Sequence, residues 1–154
     1  MNLDMQREFV LSKCEGSWIH NVPFFFVPVD IVLGFRGNCF TPEEFYFSEI
    51  WKEPNHWNAG FVENGEIAIF MYGHIHKLEK YLYAERIGAS KSIQSYGNKV
   101  WELVITEAER IAKENKCKYI WTTTFRKGEI RKFFNTTVGA LLNPPSMQVI
   151  RKNL

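Results

Sequence analysis

The 154-residue sequence has few cysteines, no long hydrophobic run and almost no excess of charge of either sign. Its three cysteines, Cys14, Cys39 and Cys117, are too few and too scattered for a disulfide framework. Their odd number predicts free thiols in a reducing compartment. We therefore expect each of them to act as a small apolar side chain.

The lack of a long apolar segment argues against a membrane anchor. The most apolar stretch, residues 22–33, is too short to cross a bilayer and contains Pro23, Pro28 and Asp30. The start, MNLDMQREFV, has acidic and polar residues where a secretory signal needs an apolar run. We therefore expect a cytoplasmic protein without membrane contact.

The charge balance gives no electrostatic case for nucleic-acid binding. There are 19 Lys+Arg against 17 Asp+Glu, a net charge of +2, whereas nucleic-acid binding usually needs a strongly basic face.

The length predicts a single domain, residues 1–154. One local basic run comprises Arg126, Lys127, Arg131 and Lys132. It is interpreted either as a solvated face or as a site for a phosphate or an acidic partner.

The N-terminal part contains one clear helix signal. In TPEEFYF, Thr41 as N-cap and Glu44 three residues later predict a capping box, with Pro42 at the first helical position. The preceding segment, VPFFFVPVDIVLGF, carries prolines that break any long helix. We expect that segment to be extended and buried.

A hairpin and a third strand are predicted next. Asn64-Gly65 between two apolar segments predicts a two-residue type I′ turn. On the second arm, the residues expected to share a face are Ile67, Ile69, Met71 and Ile75. In the third strand, YLYAERIGAS, they are Tyr81, Tyr83, Glu85, Ile87 and Ala89.

The C-terminal part alternates helix and strand. KVWELVITEAERIAKEN, residues 99–115, has apolar residues at helical spacing, and CKYIWTTTF after it predicts a strand. KGEIRKFFN predicts another helix, and MQVIRKNL a closing strand. A strand–helix–strand crossover inserted among antiparallel strands predicts a mixed α/β sheet.

The loop Gln94-Ser95-Tyr96-Gly97-Asn98-Lys99 joins the third strand to the long helix. Backbone N–H groups in the first turn of a helix lack internal partners, and the helix dipole adds partial positive charge. Gly97 would let the backbone approach an anion closely, and Lys99 would add a full charge. The alternative is an ordinary strand-to-helix turn with Asn98 as N-cap.

From about residue 60 to residue 154, the chain resembles the GNAT superfamily of acyl-CoA-dependent N-acyltransferases. The loop matches that family's pyrophosphate motif, Gln/Arg-x-x-Gly-x-Gly/Ala, at Gln94 and Gly97, and the following helix and strands come in the family's order. Residues 1–59 add almost nothing to the match. The resemblance implies a mostly antiparallel sheet with a βαβ crossover and splayed central strands.

The resemblance also implies acetyl-CoA as co-substrate and an amine as acceptor, which attacks the thioester directly. Backbone groups near Ile87 and Ala89 would pair with the pantetheine arm, and amides of residues 95–99 would hold the pyrophosphate. Related enzymes often carry a carboxylate on this strand, which makes Glu85 the candidate base. The alternative for Glu85 is a solvated residue paired with Arg86 or a lysine.

Two departures from the family pattern bear on catalysis. Lys99 replaces the loop's final small residue, and Phe133-Phe134 stands where the family often has Phe-Tyr, whose tyrosine is the general acid. Loss of a general acid lowers a rate by about 10²–10⁴. The alternative function is therefore a non-catalytic GNAT-fold protein that binds another protein, as in divergent proteins that resemble those of tailed bacteriophages.

Histidines and aromatic residues are further candidates for binding groups. His74 and His76 have possible metal-ligand spacing, but two ligands do not define a zinc site. Substrate contact, base catalysis and ordinary packing stay open for this pair, and no metal is predicted. Tyr96 is a candidate to stack on adenine. The five tryptophans are expected in the core: Trp18, Trp51, Trp57, Trp101 and Trp121.

Overall fold

The computed structural model describes residues 2–35, 41–124, 140–143 and 147–154, and only the backbone at 94, 98, 123, 124, 140–143 and 147–152. Within these ranges the α-helices are Leu3–Ser12 (α1), Val29–Leu33 (α2), Pro42–Phe47 (α3) and Asn98–Glu114 (α4). The strands of the described residues are Trp18–His20 (β1), His56–Glu63 (β2), Glu66–His76 (β3), Tyr81–Ala89 (β4), Tyr119–Thr124 (β5), Ala140–Asn143 (β6) and Met147–Asn153 (β7). The helix predicted at 127–135 lies outside the described residues.

The strands form one mixed sheet in the order β1-β2-β3-β4-β5-β7-β6. Neighbouring strands are antiparallel except β4 and β5, which are parallel because α4 crosses between them. The predicted mixed sheet with a βαβ crossover is confirmed. Strand β6 was not predicted from the sequence.

The turn between β2 and β3 is the predicted one. Asn64 has φ 56° and Gly65 has φ 73°, as a type I′ turn requires of both central residues. The carboxylate of Glu15 accepts hydrogen bonds from the Asn64 amide at 2.6 Å and the Gly65 amide at 3.0 Å. The prediction of a hairpin is confirmed.

A bulge in β3 changes the predicted face of that strand. Phe61 pairs with Ile69 and Val62 with Ile67, so Ala68 is an extra residue opposite β2. The side chain of Ile67 therefore packs on one side of the sheet, while Ile69, Met71 and Ile75 pack on the other. The prediction that all four share a face is wrong, because it assumed an uninterrupted two-residue period.

A second bulge, in β4, has the same effect there. Tyr72 pairs with Arg86 and Gly73 with Ala84, so Glu85 is an extra residue opposite β3. Ile87 and Ala89 pack with Leu82 and Ala84 on one face of the sheet, whereas Tyr81 and Tyr83 alternate with Leu82 and Ala84 and so take the other. The predicted common face from Tyr81 to Ala89 is wrong for this reason.

The two sides of the sheet are covered differently. The side under α4, here called the helix face, has a core of aliphatic side chains, with Val100, Val104, Ala108, Ile111 and Ala112 from the helix. The periodicity of the helix predicts these five residues and also Leu103, which is half-buried against the same core. The opposite side, here called the aromatic face, has a core that includes Phe24, Phe26, Phe35, Phe45, Phe70 and Tyr72.

Short helical turns cover the aromatic face. The segment expected to be extended instead forms a 3₁₀ turn at Phe24–Phe26 followed by α2. Pro23 and Pro28 stand at the N-caps of these turns with φ −59° and −62°, so each proline starts a helical turn. Burial was predicted correctly, since Phe24 is 0% exposed. The capping box of α3 is confirmed: Thr41 Oγ1 accepts from the Glu44 amide at 3.1 Å.

The cysteines and tryptophans only partly follow the expectation of apolar packing. Cys117 is buried and Cys14 is half-buried, both as free thiols, while Cys39 lies outside the described residues. Of the five tryptophans only Trp57 is fully buried, and the other four are half-buried. Three of these pack against the two cores, and the fourth, Trp121, stacks on Tyr83. Separately, none of the helices within the described ranges combines the length and apolarity needed to cross a membrane.

Candidate functional site

The loop between β4 and α4 is anchored by one apolar side chain. Ile93 is 1% exposed and packs into the core of the helix face. Its carbonyl accepts the amide of Tyr96 at 2.9 Å, which closes a 3₁₀ turn at Gln94–Tyr96. The side chains of Ser95, Tyr96 and Lys99 are exposed. The loop is thus anchored in the core by Ile93, while its other side is accessible to solvent.

The N-terminus of α4 has no side-chain cap. Its N-cap is Gly97, with φ 57°, and its first turn contains no acidic residue. The alternative with Asn98 as N-cap is wrong, because Asn98 is the first residue of the helix. Among the contacts of the described residues, the amides of Ser95 and Lys99 donate to no protein acceptor. Unpartnered amides at the positive end of a helix can bind an anion.

Gly97 leaves room above this helix end. A Cβ at that position would meet no atom within 4 Å, and its positive φ favours glycine. The hydroxyl of neighbouring Tyr96 donates to Glu63 Oε1 at 2.8 Å, which ties the loop to the end of β2. This hydrogen bond raises the pKa of Tyr96. Within the first turn of α4, the charged side chain is that of Lys99.

Strands β4 and β5 part at the middle of the sheet, a place here called the fork. Their register runs from Tyr81 opposite Tyr119 to Ala84 opposite Thr122 and extends no further within the described part of β5. Beyond it, β4 stays with β3 and β5 stays with β7. The expectation of splayed central strands agrees with this geometry.

Glu85 is the first residue of β4 beyond the last pair with β5. Its side chain is half-buried, and Arg86 Nη1 donates to its backbone carbonyl at 2.8 Å. Ile87 and Ala89 follow it as half-buried residues that pack against the helix-face core. The structure therefore brings the predicted strand residues to the fork and the predicted loop residues to the start of α4. At Gln94 and Asn98 only the backbone is placed.

The hydroxyl of Tyr72 lies near Glu85 on the aromatic face. It is buried and has no hydrogen-bond partner among the described residues. Burial raises the pKa of Tyr72, and the nearby Glu85 carboxylate raises it further, so the hydroxyl keeps its proton. Sequence reasoning missed this residue, because its position near Glu85 depends on the bulge in β4.

The two histidines of β3 pack against tyrosines of β4. His76 stacks on Tyr81 with ring centroids 4.9 Å apart, and His74 contacts Tyr83 at 5.2 Å. His76 Nδ1 also accepts the amide of Glu79 at 3.0 Å, within the β3–β4 turn. In the part of the chain that the structure describes, no three His, Cys, Asp or Glu side chains are grouped to hold a metal ion.

A cleft lies beside β1, the start of β2 and the C-terminal half of α4. This cleft has a volume of about 770 Å³, and its lining includes Trp18, Trp57, His20, Glu107 and Arg110. Glu107 Oε1 lies 2.8 Å from both His20 Nε2 and Arg110 Nε. Burial opposes ionisation of Glu107, but the hydrogen bonds from Arg110 and His20 outweigh it and lower its pKa. The charges of the cleft are therefore bound to one another.

Comparison with known proteins places the fold. No protein-family model and no curated protein matches the chain, but solved structures do. A GNAT-family protein from Desulfovibrio desulfuricans superposes with a TM-score of 0.63 at 15% identity, covering 89% of this chain and 99% of that one. The N-acetyltransferase PaiA of Thermoplasma acidophilum, in complex with coenzyme A, gives 0.56 at 12% identity over 74% and 72%.

An acetyltransferase from Bacillus cereus matches with a TM-score of 0.50 at 20% identity, covering 64% of this chain and 73% of that one. These identities are low, and the likeness is one of architecture. The chain has the fold of the GNAT acetyltransferases.

Several sequence-derived candidates lie outside the described residues. They are the basic run at 126–132 and the Phe133-Phe134 pair, which stands where the family often has its general acid.

Proposed function

We propose that the protein is an acyl-CoA-dependent N-acetyltransferase that acts on an amine. The observation that carries this proposal is the uncapped N-terminus of α4, which directly follows a strand that has parted from its neighbour. The fold of the GNAT acetyltransferases supports the same function.

The residues at the start of α4 fit a diphosphate. Amides of Ser95 and Lys99 have no acceptor among the described protein groups, and Gly97 leaves space for a close approach. The first turn carries no carboxylate that would repel an anion. We assign the pyrophosphate of acetyl-CoA to residues 94–99, with Lys99 supplying a full positive charge. The pantetheine arm would then run along the β4 backbone beside Ile87 and Ala89.

Acetyl-CoA supplies an acetyl group activated as a thioester. We assign Glu85 as the base, because it stands at the fork and is half-buried. As the amine nitrogen forms its bond to the carbonyl carbon, its proton passes to the Glu85 carboxylate. The carbon–sulfur bond breaks, and the sulfur leaves as a thiolate that takes a proton from water. The acetyl group ends on the nitrogen.

Titration calorimetry with coenzyme A tests the assignment of the loop. The wild-type protein should bind with measurable heat, and Lys99→Glu should weaken binding about tenfold, roughly 1.4 kcal/mol. Lys113→Glu, the same charge change near the far end of α4, serves as control and should leave the affinity within about twofold. Absence of heat at high micromolar ligand would remove the proposed function, and an unchanged affinity of Lys99→Glu would remove the role of Lys99.

A second candidate function is protein binding without catalysis. The observation that favours it is the set of apolar side chains that α1 exposes: Leu3, Met5, Phe9 and Val10. Exposed apolar clusters often mark interaction surfaces. A thiol-release assay with acetyl-CoA and an amine distinguishes the two functions. Activity in the wild type that is lost in Glu85→Gln would support the transferase.

A further inference from the structure

Two consecutive carbonyl groups at the fork accept hydrogen bonds from buried side chains. Trp57 Nε1 donates to the carbonyl oxygen of Tyr83 at 2.9 Å. Thr122 Oγ1 donates to the carbonyl oxygen of Ala84 at 2.7 Å. Both donors are buried, with Trp57 at 3% and Thr122 at 3% exposure. They come from opposite sides, since Trp57 belongs to β2 and Thr122 to β5.

The hydrogen bond from Trp57 crosses an entire strand. Trp57 lies opposite Gly73 on β3, and Gly73 lies opposite Ala84 on β4. A Cβ on Gly73 would come within 1.8 Å of the Tyr83 oxygen and 2.9 Å of the Glu85 nitrogen. The Tyr83 carbonyl thus stands out of the plane of the sheet, over the space that Gly73 leaves, and the indole reaches it there.

The hydrogen bond from Thr122 marks the last register pair of β4 and β5. Ala84 and Thr122 are opposite one another, and β4 continues beyond them with Glu85, Ile87 and Ala89. Because the hydroxyl is bound to the Ala84 oxygen, the end of the paired segment is fixed by a side chain. Loss of a buried hydrogen bond is costly, so both contacts stabilise β4 in the conformation that it has beside the bulge.

We infer that Trp57 and Thr122 are positioning residues that hold the fork in the geometry needed for acyl transfer. They fix the direction of β4 at the bulge that contains Glu85. Thr122 does so from β5, the neighbouring strand, and Trp57 from β2, two strands away. This inference rests on the proposed function. It adds that the Glu85 carboxylate and strand β4 are held in position by two side chains, Trp57 and Thr122, which themselves contact neither the amine nor acetyl-CoA.

The first test measures amide hydrogen exchange in the protein without ligand, on the segment 82–89. Thr122→Val removes the hydroxyl at nearly constant shape, and Thr122→Ser retains it. Exchange should accelerate about tenfold in Thr122→Val and return close to the wild-type rate in Thr122→Ser. Trp57→Phe should also accelerate exchange, whereas Trp18→Phe, a half-buried neighbour on the same face, should not. Equal exchange in Thr122→Val and the wild type would overturn the inference.

The second test separates positioning from binding. Affinity for coenzyme A should fall by no more than about threefold in Thr122→Val, because the pyrophosphate loop at 94–99 is unchanged and only the contact of the pantetheine arm with β4 is weakened. Thiol release from acetyl-CoA with an amine mixture should fall about 10- to 100-fold and recover in Thr122→Ser. If the wild type is active and Thr122→Val equally so, only the positioning role fails. If the wild type neither binds coenzyme A nor releases thiol, the proposed function fails and the positioning role with it.

Discussion

The two faces of the sheet are stabilised in different ways. The helix face is covered by one long amphipathic helix whose buried residues recur at regular spacing. The aromatic face is covered mainly by turns and helices of three to six residues, with Leu11 added from α1, and its core combines five phenylalanine rings and Tyr72 with aliphatic side chains. Regular spacing allows one face to be derived from the sequence, while the other depends on how individual rings fit together.

The largest expected effect is on the aromatic face. Phe24 is fully buried, stacks on Phe45 at 4.3 Å and contacts Tyr72 at 5.3 Å. Phe24→Ala should lower the free energy of unfolding by about 4 kcal/mol, because it removes a large side chain and leaves a cavity. Phe47→Ala, at a residue 78% exposed, should change it by less than about 0.5 kcal/mol. Urea unfolding measures both; similar values would show that the ring cluster does not stabilise this face.

A smaller effect is expected from two glycines on opposite faces. A Cβ at Gly73 would lie 1.8 Å from the backbone oxygen of Tyr83 in β4. A Cβ at Gly60 would instead meet side-chain atoms of Ile67, the nearest at 3.1 Å. Gly73→Ala should therefore cost about 3 kcal/mol of unfolding free energy and Gly60→Ala about 1 kcal/mol or less. Thermal unfolding of the two variants compares them directly, and equal losses would contradict the close approach at the fork.

The smallest effect is a difference in acid sensitivity between the faces. Burial on the aromatic face lowers the pKa of His56 from 6.5 to about 4. The folded protein thus binds fewer protons than the unfolded chain between those values, so stability present above pH 6.5 is lost as the pH falls towards 4. On the helix face the pKa of Glu107 lies below 4.5, and its contribution is lost only at still lower pH.

His56→Gln should flatten the dependence of unfolding free energy on pH between 6.5 and about 4. Glu107→Gln should leave that window unchanged. Urea titrations at the two ends of the window give the slopes, and a wild-type slope in His56→Gln would show that another group titrates there.

The parts of the fold that follow from short-range patterns could be predicted. The Asn64-Gly65 turn, the capping box at Thr41 and the periodicity of α4 each depend on residues close in sequence. The start of α4 could also be recognised, because a glycine-containing loop before a helix is a local feature. Lys99 is exposed in its first turn, and its contact with phosphate stays a prediction.

What could not be predicted depends on the register of several strands. The bulges at Ala68 and Glu85 invert the side-chain alternation, and no local pattern in β3 or β4 signals them. The sequence predicts Trp57 only as a core residue. Its hydrogen bond to the Tyr83 carbonyl depends on the pairing of β2, β3 and β4 and on the space above Gly73. The prolines at 23 and 28 were interpreted as breaks, although in a packed segment they start short helical turns.

The parallel pairing of β4 with β5 has a consequence for the order in which the sheet assembles. The hairpin partners Val62 and Ile67 are near neighbours along the chain, whereas Ala84 can meet Thr122 only after α4 has formed a long connection between them. Closing a longer stretch of chain costs more entropy and slows folding. We therefore expect the hairpin to form early and the central parallel pair late, so that the fork between β4 and β5 takes its shape in the last stage of folding.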